Sequence, residues 1–204
     1  MKKLLYIFIC IIPHTLIIAQ LDIDYGVKAG LNYNSNGDLN ITGGLAGITK
    51  NIKSDKEVGY HFGVYTQLNF TKFYIKPELI YTKTKSSYSN NTPSKFTLST
   101  LELPILVGYS IIKPISIYVG PSFQYILSND FSSNFDLNIE NDVVLGINIG
   151  ASVKVSKFGF DVRYTGGLSE NLAVYFDDLP VDGMGYSIDT KPNQFILSVS
   201  FQVN

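Results

Sequence analysis

Tryptophan is absent from this chain of 204 residues, and cysteine occurs once, as Cys10. One thiol forms no internal disulfide and no cysteine-rich metal site. Histidine occurs twice, at His14 and His61. Charge is scarce as well, at 16% of residues against roughly 25% in an ordinary soluble domain. The 16 basic and 17 acidic side chains leave a formal charge of -1. That excludes a strongly basic nucleic-acid binder and an acidic disordered tail. No apolar run reaches the ~20 residues of a membrane helix, because Pro13, His14 and Thr15 interrupt the first one. P-loop and HExxH patterns are missing too.

What is present is aromatic and rich in glycine. Tyr (14) and Phe (13) stand beside 17 Gly, a composition that favours β structure with close backbone contacts. Met1 to Ala19 has the layout of a signal peptide: Lys2 and Lys3, an apolar run from Leu4 to Ile12, then the small Ala19. Cleavage there leaves one domain, residues 20–204, without a thiol and with His61 as its histidine. Cys10 reads as part of the apolar run, because bulky Ile9 suits no lipidation cut.

Apolar residues then recur with period two, the strand signature. Eight such segments occur: Val27 to Tyr33, Val58 to Phe70, Phe73 to Tyr81, Leu101 to Tyr109, Ile115 to Tyr125, Val143 to Val153, Phe158 to Tyr164 and Phe195 to Val203. Most approach the ~9–11 residues of a tilted membrane strand. Long polar connections (Asn34 to Glu57, Thr84 to Phe96, Ser128 to Asn141, Gly166 to Lys191) alternate with short ones at Thr71–Lys72, Ile111–Pro114 and Ser156–Lys157. The expected fold is all-β: an eight-stranded antiparallel up-and-down transmembrane β-barrel, with long loops outside the cell and short turns in the periplasm.

Period two also fits a soluble, lipocalin-like barrel with its apolar face inward. Aromatics near the strand ends favour the inverted arrangement. Phe70, Phe73, Tyr109, Phe158 and Phe201 lie towards the short turns; Tyr60, Phe62, Tyr81, Tyr125, Tyr164 and Phe195 lie towards the long loops. Two membrane-interface girdles result. Alternation then sends Lys28, Lys76, Glu78, Glu102, Lys154, Asp161 and Arg163 into the lumen. Four cations and three anions in a narrow bore need partners, so this cluster reads as a structural, salt-bridged plug rather than an ion path.

Other chemistry is thin. His61 faces inward, with no companion Ser two positions on, so a lipid-modifying enzyme centred on it is a minor alternative. Asp177, Asp178 and Asp182 lack the spacing of a calcium loop and read as a solvated segment. No catalytic residue, metal or cofactor is expected. The first long loop, rich in Asn and Gly, reads as mobile.

Five stretches are similar to the PorT-like outer-membrane β-barrel family, an OmpA-like eight-stranded type. They are YGVKAGLNYN, FYIKPELIYTKT with Lys76 to Leu79, STLELPILVGYSI with Leu101 to Pro104, IYVGPSFQYIL, and VVLGINIGASVKVSKFGFDVRYTGGLSEN with Asp161, Arg163 and Tyr164. Thr100 stands where the family usually has Tyr. The resemblance implies a barrel in the outer membrane of Gram-negative bacteria. Its founding member takes part in type IX protein secretion, which the resemblance extends to this chain as an accessory role. The leading expectation is a non-enzymatic integral outer-membrane protein. Its partners are membrane lipid and a protein or ligand met by the loops Asn34 to Glu57 and Gly166 to Lys191, with no nucleic acid.

Overall fold

The computed structural model describes residues 22–34, 39–43, 48–52, 54–88, 94–131, 138–139, 143–168, 172–176, 185–189 and 193–204. The segment read as a signal peptide and Asp177, Asp178 and Asp182 lie outside them. Among the described residues there is no helix. Eight long strands make the wall: β1 (Asp22–Asn34), β4 (Ser54–Phe70), β5 (Phe73–Tyr88), β6 (Ser94–Ile112), β7 (Ile115–Phe131), β9 (Val143–Val155), β10 (Phe158–Gly167) and β13 (Asn193–Gln202). Five short ones lie in the long connections: β2 (Leu39–Gly43), β3 (Ile48–Ile52), β8 (Asn138–Ile139), β11 (Leu172–Phe176) and β12 (Gly185–Asp189).

The long strands close into one barrel in the order β1-β13-β10-β9-β7-β6-β5-β4. Each pairs antiparallel with its neighbours, and the β1–β13 ladder shuts the ring. The shortest, β10 and β13, have 10 residues each, enough to cross a bilayer at a tilt.

Burial follows the period of the sequence. On β9 and β13 exposed and buried residues alternate along most of the strand. The exposed set is apolar: Leu31 is 56% accessible, Ile149 59% and Leu197 59%. The buried set is largely polar and points into the bore. The soluble, lipocalin-like arrangement fails here, because its apolar face would be the hidden one. Aromatics pair across strands at both ends of this outer face. Phe73 meets Tyr109 and Phe158 meets Phe201 near the short turns, while Phe62 meets Tyr81 and Tyr164 meets Phe195 near the long loops.

The turns at 71–72, 113–114 and 156–157 have two residues each. Thr71 and Ser156 open two of them at φ 56°, the left-handed backbone that a tight hairpin needs at its first central residue. The connections on the other side hold more structure than the sequence suggests. β5 continues to Tyr88 and β6 starts at Ser94, so most of the Thr84 to Phe96 loop is hairpin. The Asn- and Gly-rich first loop, read as mobile, contributes β2 and β3. They join a five-stranded sheet in the order β3-β2-β12-β11-β8. Its central ladder pairs β12 with β2, far apart in sequence, so no local pattern announces it.

Candidate functional site

The lumen concentrates the charged side chains that the barrel buries. Lys28 on β1, Glu78 on β5, and Asp161 and Arg163 on β10 are all at most 6% accessible. In the ring β10 lies opposite β5, and β1 lies opposite β7. The Arg163 Nη2 atom donates to Glu78 Oε2 at 2.8 Å, so this pair spans one diameter. Lys28 stands at one end of the other diameter and donates to Asp161 Oδ1 at 2.8 Å and Glu78 Oε1 at 3.2 Å. Tyr118 on β7 stands at the opposite end. Its hydroxyl donates to Asp161 Oδ2 and accepts from Arg163 Nε at 3.2 Å. Lys76, one inward step nearer the short turns, adds a third cation to Glu78 at 3.3 Å. Arg163 Nε is also 3.8 Å from Asp161.

Beside this network Tyr74, Leu106 and Tyr118 pack as a buried apolar group. Close approach makes it fit. Tyr74 pairs with Gly108 and Tyr118 with Gly150, and a Cβ on either glycine would overlap the facing tyrosine. Charged and aromatic side chains thus meet inside the barrel at one level.

Two of the seven inward charges stand apart. Lys154 is at the short-turn mouth, where its half-exposed side chain pairs with Asp24 at 2.8 Å. Glu102 is buried and accepts from the Thr100 hydroxyl at 3.3 Å, without a cation in contact among the described residues. Nearby, Ser122 has a buried hydroxyl without a hydrogen-bond partner among the described residues. Sequence reading missed Asp24, which also accepts from Gln202 at 2.7 Å and Asn69 at 3.2 Å. The signal was there: Ile23 and Tyr25 continue the outward alternation two residues at a time before Val27.

Above the network lies a neutral polar layer around His61. The ring Nδ1 donates to Asn32 Oδ1 at 2.5 Å, and Nε2 accepts from the Ser198 hydroxyl at 3.0 Å. Asn32 donates onward to Gln194 at 2.7 Å. His61 and Ser198 sit on β4 and β13, either side of β1, and both pair with Gly30. A Cβ at Gly30 would come within 2.7 Å of the imidazole Cε1, so glycine lets the ring reach across β1. A search for serine close in sequence could not find this partner. The order Ser–His–Asn resembles a nucleophile relay, yet all three residues are at most 5% accessible. The hydroxyl is therefore closed to an ester in this conformation.

A family model for the outer membrane protein β-barrel domain matches residues 18–173. The chain belongs to that family. Membership places it in the outer membrane, with lipid around the exposed apolar face. Solved structures agree in fold. OprG from Pseudomonas aeruginosa is 12% identical, with a TM-score of 0.61 over 89% of this chain and 96% of that one. Looser likenesses are Neisserial surface protein A, 12% identical with a TM-score of 0.44 over 87% of this chain and 96% of that one, and Ail of Yersinia pestis. Ail is 10% identical with a TM-score of 0.41, over 89% of this chain and 99% of that one. No curated protein matches the chain. OprG is itself an outer membrane protein.

Proposed function

We propose that the chain is a non-enzymatic outer-membrane barrel with a sealed bore, acting as a structural or interaction protein through its outer connections. One observation carries this reading: Lys28, Glu78, Tyr118, Asp161 and Arg163 join the wall along both diameters at one level. A bore bridged in this way holds its shape and leaves no wide path. The business end is then the long-loop side, where β2, β3, β8, β11 and β12 build a second sheet from three separate connections. Loops on a rigid scaffold are where recognition concentrates. The His61, Asn32 and Ser198 set serves as a tether between β4, β1 and β13. A fluorophosphonate probe applied to the folded protein tests the non-enzymatic part. Ser198 is expected to stay unlabelled, and stoichiometric labelling would overturn the reading.

Within the family, Lys76 to Leu79 and Leu101 to Pro104 favour the PorT-like branch, and with it an accessory role in type IX secretion. A deletion strain that exports its secreted proteins normally would remove that role and leave the barrel reading intact.

A further inference from the structure

The short-turn mouth opens into a polar cavity of about 410 Å³, lined by Asp22, Asp24, Tyr74, Ser110, Ser152 and Lys154 among others. A narrower gap of about 40 Å³ shares Asp24, Gln67, Ser152 and Lys154 with it and reaches Tyr65, Lys76, Asp161 and Ser200. The gap therefore leads from the periplasmic side to the edge of the buried ion network.

Charge at that edge does not balance. Lys28, Lys76 and Arg163 share two carboxylates, Glu78 and Asp161. Asp24, the other carboxylate lining the gap, is occupied by Lys154, Gln202 and Asn69. Lys76 has the poorest share. Its Nζ lies 3.3 Å from Glu78 Oε1, an oxygen that Lys28 also holds at 3.2 Å. Its other contact is the Tyr65 ring, with the centroid at 4.2 Å. It is also the network's most accessible cation, with 13% of its side chain exposed against 1% for Lys28 and 3% for Arg163. Glu102 is on the far side: four residues along β6 from Leu106, the cross-strand partner of Lys76, or roughly 14 Å at about 3.4 Å per residue. An ammonium held in a membrane barrel with half a counter-ion calls for another anion.

We propose that Lys76, with the Ser152, Ser200 and Tyr65 hydroxyls around the gap, forms a binding site for a small carboxylate anion entering from the periplasmic mouth. One negative charge cancels the excess of one. A gap of about 40 Å³ has room for about three or four water-sized groups at roughly 10–15 Å³ each, which suits the three atoms of a carboxylate. The polar cavity outside takes the remainder of the molecule.

Saturation-transfer NMR with acetate tests the site on the folded protein in detergent micelles, with protein-free micelles as the blank. Wild type should give a saturable acetate signal. Lys76→Met should reduce it to the blank, whereas Lys113→Gln, at the outer lip of the cavity, should retain it. Lys76→Met is expected to fold, since Glu78 keeps Lys28 and Arg163; a heat-shifted gel band verifies this. Should it not fold, Ser200→Leu, which fills the gap, is expected to remove the signal instead. A wild-type signal no larger than the blank would overturn the proposal. So would an undiminished signal in a folded Lys76→Met or Ser200→Leu protein, or a loss confined to Lys113→Gln.

Discussion

Glu78 and Glu102 are both buried carboxylates on neighbouring strands, yet their surroundings assign them opposite consequences. Glu78 meets three cations, and removing it leaves Lys76 without a carboxylate in contact and Lys28 and Arg163 to share Asp161. Glu78→Ala should cost about 3–5 kcal/mol of unfolding free energy, read by denaturant titration in detergent. Glu102 accepts from neutral side chains, Thr100 and Gln124 among them, with no cation in contact among the described residues, so Glu102→Gln should stay within about 1 kcal/mol of wild type. Equal losses would contradict the network. Alternation made the inward direction of these residues legible. It could not say which of them meet, because Arg163 and Glu78 come together only through the closed strand order. Nor did it separate Lys154, which shares their face and stands at the rim. Ser198 was hidden for the same reason, since its bond to His61 depends on the bare backbone of Gly30 between them.

At the scale of elements, the wall strands were readable because one face must suit lipid along its whole length. Ile147 on β9 belongs to that face and pairs with Pro121 on β7. Ile147→Arg should cost about 2–4 kcal/mol if the site is deep in the bilayer. A variant as stable as wild type by the same titration would contradict the orientation of the wall. The β13–β1–β4 segment makes a second prediction. Gly30→Ala presses a methyl onto the imidazole and the neighbouring backbone, and such overpacking should cost about 1–3 kcal/mol. The imidazole NMR signals of His61 should move as its bond to Ser198 breaks; unchanged signals would argue against the reach across β1. The outer sheet was not readable. Its strands β2, β3, β11 and β12 have five residues each, too few for a period to stand out. The β2–β3 and β11–β12 pairs are local, but the β12–β2 and β11–β8 ladders join different connections, so long-range pairing assembles the sheet.

For the whole molecule, the outside and inside of the barrel invert the usual soluble arrangement, and this ties fold to function. Apolar residues anchor the wall in lipid, while polar residues fill a bore too narrow for much else. The ion network then acts at two levels. In the reading proposed above, it holds opposite walls together and blocks the passage that the barrel would otherwise offer. Single-channel recording in a planar lipid bilayer addresses the sealed bore most directly. The wild-type protein, inserted and shown to be folded, should give no discrete current steps, and Glu78→Ala should give small ones if it stays inserted. Regular, voltage-stable openings in the wild type would contradict the sealed bore.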